Sequence, residues 1–184
     1  MKIKCKLFVS SIFAVGILLS SVTANAQKRV KHPVAKQKIA QHHKGEMAQA
    51  IKVLKRTNKI ILVAHGHIKR SKIYTGDFAK AVHHQRHAKK LLKTHKAHRA
   101  MQHSRVARMY ALKSIKANKG MVNKEMEFND EENKIMGEKI SDAELEKELK
   151  DSNPNIKFDD ATISDKEMTE LQVLETDEAD YKNE

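Results

Sequence analysis

The chain has 184 residues, with 36 lysines and arginines against 23 acids for a formal net charge of +13, eight aromatic residues and no tryptophan. With so few large rings, any core must be built mainly from Ala, Leu, Ile, Val and Met. A single cysteine, Cys5, excludes a disulfide framework.

Lys2, Lys4 and Lys6 precede an apolar run over residues 7–22, which ends in the small-x-small triplet Ala24-Asn25-Ala26. This is the layout of a secretory signal peptide cleaved after Ala26. A spanning helix needs about 20 predominantly apolar residues, so a retained anchor is the competing reading. No later apolar run exceeds residues 60–64. The expectation is a soluble periplasmic or secreted protein that loses Cys5 with its leader and holds its shape by packing.

The remaining sequence divides by charge. Residues 27–122, the basic body, hold 25 lysines and arginines but only two acids, Glu46 and Asp77, for a net +23. Residues 123–184, the acidic tail, hold eight lysines and 21 acids, for a net −13. Such a body attracts anions, and the cations expected to engage them are Arg86, Lys89, Lys90, Lys93, Arg99, Arg105 and Arg108. The expected partner is an anionic surface or an acidic protein, with a membrane surface touched but not spanned and nucleic acid less favoured. The tail, tethered at high effective concentration, is a further candidate for the same cations. A solubilising role for the lysine-rich faces is the plainer alternative.

Pro33 and Pro154 are the only prolines, and the periodicity between them is helical. Pro33 suits the start of a helical stretch over residues 34–43. Met47, Ile51, Leu54, Ile61 and Ile68 then mark one stripe of a helix over residues 44–69, with Gly66 able to kink or end it. Tyr74-Thr75-Gly76-Asp77 punctuates the chain, and Thr75 or Asp77 can cap the next helix. That helix turns Phe78, Ala81, Val82, Ala88 and Leu92 inward. After Thr94-His95-Lys96 the pattern resumes with Ala97, Ala100, Met101, Ala107, Ala111, Leu112 and Ile115, and stops at Asn118-Lys119-Gly120. Two helices joined by so short a turn form an antiparallel hairpin. A turn centred near residue 95 sets Gln85 roughly opposite Ser104, so the two inward polar residues are expected to meet or share a water.

Residues 81–88 (AVHHQRHA), 100–108 (AMQHSRVAR) and 117–120 (ANKG) resemble a group of secreted bacterial helical-hairpin proteins. More loosely, the alternation of small and large inward residues is similar to tetratricopeptide-type helix pairs, which present surfaces to partners. The resemblance spans residues 74–120. It implies an all-α interaction fold and no particular chemistry.

In the tail, Ser141 and Ser164 each precede a short helical segment, with Glu144 and Glu167 placed for capping boxes. Helices below about 12 residues are marginal without packing, so a largely disordered tail is expected. Leu145, Leu149, Phe158, Leu171 and Leu174 are the residues able to dock. The expected fold is therefore all-α, a small helical bundle or hairpin with that tail attached.

All eleven histidines lie between His32 and His103. His83 and His87 are one helical turn apart, His84 is adjacent, and His103 falls near the same level across the hairpin. These four form the candidate set for a divalent transition metal (copper, nickel or zinc), in an alternative reading as a metal-binding or metal-buffering protein. Against it stand the surrounding cations and the absence of a nearby carboxylate in the body. Gln85 occupies the region where a zinc-protease helix needs glutamate. Asp151, Asn153 and Asn155 begin like a calcium loop, but Pro154, Ile156 and Thr162 break the pattern. With no phosphate loop, nucleophile elbow or paired inward carboxylates, no enzymatic activity and no obligatory cofactor are expected.

Overall fold

The computed structural model describes residues 33–172, and among them every regular element is helical. Helix α1 (Pro33–Ser71) continues through Gly66, so the two segments expected there form a single helix. Helices α2 (Asp77–Lys93) and α3 (Ala97–Ala117) form the expected hairpin. Both close with a residue in the left-handed region, His95 at φ 58° and Lys119 at φ 57°. The next amide then returns to a carbonyl five residues back: Lys96 N to Leu91 O at 3.0 Å, and Gly120 N to Ile115 O at 2.8 Å. The positive φ falls on Lys119, not Gly120. Glycine at 120 serves a close approach instead, because a Cβ there would lie 2.6 Å from both the His67 ring and Ile115.

Residues 123–172, expected to be largely disordered, are ordered. They form α4 (Asp130–Met136), α5 (Asp142–Ser152) and α6 (Asp165–Gln172), with 3-10 turns at Lys124–Met126 and Asp160–Thr162. Two effects account for the difference. Each short helix is capped: Asn129 and Glu132 complete a capping box on α4, Ser141 accepts from Glu144 N, and Ser164 exchanges bonds with Glu167. Each helix also inserts apolar side chains into the body, and Met136, Leu145, Leu149, Ile163, Met168 and Leu171 are all buried. Burying one such side chain contributes about 1.5–3 kcal/mol before the entropy of ordering is subtracted. Leu145, Leu149 and Leu171 therefore dock as the sequence suggested, and Phe158 packs partly buried beside them.

The apolar interior forms two clusters along the hairpin. One joins Ile60, Ile61 and Ala64 of α1 to Phe78, Val82, Val106, Ala111 and Ile115, and is closed by Leu145, Met168 and Leu171. The other joins Met47, Ile51 and Leu54 to Ala88, Leu92, Ala100 and Met101, and is closed by Met136. Ala81, Ala88, Ala100, Ala107 and Ala111 are fully buried, which lets the hairpin axes approach closely. The described residues from Val34 onward belong to one compact unit, so body and tail fold together.

No described helix is long and apolar enough to cross a membrane. The expected signal peptide, the cleavage point after Ala26 and the docking position Leu174 lie outside the described residues.

Candidate functional site

The level between the two apolar clusters is polar, and it fixes the orientation of everything around it. Gln85 and Ser104 are both fully buried, as the inward stripe required, but they do not meet. Each turns to α1. Gln85 Nε2 donates to Leu54 O at 3.0 Å and to Asn58 Oδ1 at 2.7 Å, while Ser104 Oγ donates to Thr57 Oγ1 at 2.9 Å. The hairpin seam itself is filled by alanine, so these two longer side chains sit on its flank, where α1 supplies Thr57 and Asn58. Asn58 in turn donates to Leu171 O at 2.7 Å, tying α6 to the same layer.

The seven cations expected to bind anions have separate fates. Arg108 is fully buried, paired through both terminal nitrogens to Glu132 at 2.9 Å and stacked 3.8 Å from the Phe128 ring. No outside anion can reach it. Arg105 pairs with Asp142 at 2.5 Å and donates to Ile140 O at 3.0 Å, and Arg99 reaches Glu148 at 2.8 Å and Glu144 at 3.2 Å. The other four, Arg86, Lys89, Lys90 and Lys93, share one wall of a cleft of about 480 Å³ between α2 and the tail. His83 and His87 stand on the same wall. Leu149, Ser152, Asn153, Ile156, Glu170 and Leu171 form the opposite side, so Glu170 is its one acid among the described residues. Arg86 leans toward that side, 2.7 Å from Glu167 and 3.5 Å from Glu170, and Lys89 donates to Glu170 O at 2.5 Å.

Of the four candidate histidines, the structure gathers three. His84 Nδ1 lies 3.0 Å from His103 Nδ1, and the His87 and His103 rings meet edge to face at 4.5 Å between centroids. His83 points elsewhere, its ring edge-on to Phe158 at 6.0 Å. The absence of a nearby carboxylate expected from the body sequence is corrected here, because α5 supplies one from the tail. Glu148 sets Oε1 3.6 Å from His87 Nε2 and Oε2 3.6 Å from His103 Nε2. Nothing local to the hairpin could have revealed Glu148, which lies more than 40 residues downstream; the only signal was the stripe Glu144, Leu145, Glu148, Leu149 on a capped segment.

Burial keeps these rings neutral. It drives His84 down to about 3, helped by the neighbouring His103, and His103 down to about 4, helped by His87 and opposed by Glu148. His87 is lowered by burial as well, with Glu148 opposing. A neutral imidazole keeps a lone pair available for a metal or a proton. The Nε2 atoms of His84, His87 and His103 are all buried without a hydrogen-bond partner.

No family model, curated protein or solved structure matches this chain. The likeness of residues 74–120 to helical-hairpin proteins therefore rests on their sequence alone.

Proposed function

We propose that this chain works as an exported, non-enzymatic helical interaction protein that binds an anionic partner in the cleft along α2. The observation that carries the reading is the cleft lining, in which Arg86, Lys89, Lys90 and Lys93 face one acid, Glu170, among the described residues. Glu132, Asp142, Glu144 and Glu148 of the tail pair with Arg108, Arg105 and Arg99, which draws those three away from an outside anion, while the cleft gathers four cations along one wall. Helix α6 acts as the restraint within the cleft, since an incoming sulfate, phosphate or carboxylate must compete with Glu167 and Glu170 for Arg86.

The test is binding to heparin and to vesicles containing anionic lipid, measured over a range of salt concentrations. Lys90→Glu combined with Lys93→Glu should weaken binding and flatten its salt dependence, because two counterion-releasing contacts are lost. Glu167→Gln combined with Glu170→Gln should strengthen it. Lys113→Glu, on an exposed position of α3 outside the cleft, should change little. If Lys113→Glu weakens binding as much as the cleft pair does, general positive charge is responsible and the cleft reading is wrong. The two probes separate a polysaccharide sulfate from a lipid phosphate as the anion.

A further inference from the structure

The histidine cluster lies beside the anion cleft, with His87 facing both, and its geometry carries a separate reading. We propose that His87, His103 and Glu148 form a binding site for a divalent transition ion of the zinc class, with His84 as the residue that orients His103.

Three observations converge on it. The first is spacing. One ligand atom from each of the three residues lies within 4.8 Å of the others, and the two histidine-to-glutamate separations are both 3.6 Å. That is too long for a hydrogen bond. Zinc at its usual distance of about 2.0–2.2 Å from nitrogen and oxygen ligands places neighbouring ligands roughly 3.3–3.6 Å apart at a tetrahedral centre. An octahedral ion at similar distances would need the ligands nearer about 3.0 Å. The two 3.6 Å pairs match the tetrahedral spacing but run to different oxygens of Glu148, and the full set of ligand atoms lies within 4.8 Å, so the three side chains converge on one point and close on a tetrahedral ion by small rotations.

The second observation is the unpaired nitrogen. His103 is fully buried, yet its Nε2 has no hydrogen-bond partner and is directed at Glu148. His87 Nε2 is buried and unpartnered in the same way. Buried polar atoms left without partners are destabilising, and one ion between these three groups would satisfy both nitrogens together.

The third is the outer ring of bonds. Ligating histidines characteristically hold the other ring nitrogen in a hydrogen bond, and ligating carboxylates are hydrogen-bonded in turn. Here His103 Nδ1 meets His84 Nδ1 at 3.0 Å, His87 Nδ1 meets Ser152 Oγ at 3.3 Å, and Arg99 donates to Glu148 Oε2 at 2.8 Å. When His103 binds through Nε2, its Nδ1 carries the proton and donates to His84, which fixes the His103 tautomer. Two imidazoles and one carboxylate fill three positions of a tetrahedral shell and leave the fourth for water or a small anion. Neighbouring cations, Arg99 and Lys96 among them, oppose the ion, but Glu144, Glu146 and Glu148 on α5 bring three carboxylates to the same side.

The experiment uses the full chain freed of metal with a chelator. Zinc is titrated in competition with a chromophoric chelator, and cobalt(II) is added separately to read coordination geometry from its visible absorption. The expected result is one ion per chain, a tetrahedral cobalt spectrum, and a rise in unfolding temperature with zinc. Glu148→Gln should weaken zinc binding by more than about tenfold, the loss that even outer partners of a metal site produce. His87→Ala should do the same. His98→Ala, at an exposed position outside the cluster, should leave affinity unchanged. His84→Gln should weaken binding without changing the stoichiometry. His103 is fully buried and its replacement can unfold the chain, so Glu148→Gln and His87→Ala, both reaching solvent, decide the matter once circular dichroism shows that they fold. Several weak zinc ions per chain, or one whose affinity survives Glu148→Gln, would overturn the proposal while leaving the anion cleft untouched.

Discussion

Arg108 of α3 and Glu132 of α4 face each other through two bonds of 2.9 Å, with the guanidinium wholly buried beneath the Phe128 ring. Arg56 closes on the same carboxylate from α1 at 2.7 Å, so one acid of the tail holds two cations of the body. Arg108 Nε and Nη2 are further used by Thr57 Oγ1 and Val53 O. Burial pulls the Arg108 pKa below its ordinary value, and Glu132 opposes that shift.

The consequence is asymmetric. Removing one partner of a buried pair strands the other, at a cost of about 3–5 kcal/mol, whereas replacing both by apolar groups is far milder. Glu132→Ala should lower stability by that amount in urea unfolding, and Arg108→Met combined with Glu132→Leu should lose much less. Equal losses in the single and double variants would show that the pair is not dry.

Asp160 makes a second bond between tail and body. Its carboxylate accepts from Thr75 N at 2.8 Å, Gly76 N at 2.9 Å and Ala79 N at 2.8 Å, capping α2 from 81 or more residues away. The sequence placed the cap at Thr75 or Asp77, and a weaker local bond does run from Asp77 N to Thr75 Oγ1 at 3.3 Å. Gly76, left-handed at φ 82°, turns the amides toward Asp160. Asp160→Ala should cost roughly 2–3 kcal/mol, more than an ordinary cap, because three amides lose a charged acceptor. Hydrogen exchange should quicken at Thr75, Gly76 and Ala79 ahead of the rest of α2.

What the sequence disclosed, and what it concealed, divides along range. The hairpin was legible because Phe78, Val82, Ala88 and Leu92 repeat at helical spacing, and the stop at residues 118–120 is written in three adjacent residues. The partners of Gln85 and Ser104 were not, because they depend on how α1 lies across the hairpin, and no local pattern specifies that. Thr57-Asn58, a polar pair set between Leu54 and Ile60, was the one hint of a buried polar layer. The tail misled by composition. Its charge suggested disorder, yet several of its acids pair with arginines and lysines of the body, and a few apolar residues on short capped helices suffice to anchor it.

That matching predicts the outcome of removing residues 123–184. A separable strap would leave a folded, more basic body. Here the deletion would expose the surfaces now covered by Met136, Leu145, Leu149, Met168 and Leu171, and would leave Arg108 buried beside no carboxylate. The truncated chain should lose its cooperative thermal transition and should bind an apolar dye such as ANS. A sharp transition within a few degrees of that of the full chain would show that α1 to α3 fold alone.

Tyr110 offers a readout of body and tail contact that needs no deletion. Its hydroxyl donates to Glu146 Oε2 of α5 at 3.2 Å, and Lys80 lies 5.0 Å from the ring centroid. Burial raises its pKa to about 12, and the Glu146 carboxylate adds to the shift by disfavouring a second negative charge. A tyrosine whose folded pKa exceeds its unfolded value near 10 adds stability that is complete below pH 10 and disappears as pH climbs to 12. Absorbance of the ionised phenol should therefore show a Tyr110 step that is delayed until near pH 12 or until the chain unfolds, and that is missing from Tyr110→Phe. Glu146→Gln removes the charge but keeps an acceptor, so it should bring the Tyr110 titration to lower pH. If Tyr110 instead ionises near the unfolded value of about 10 in the unaltered chain, α5 does not sit against α3 as described.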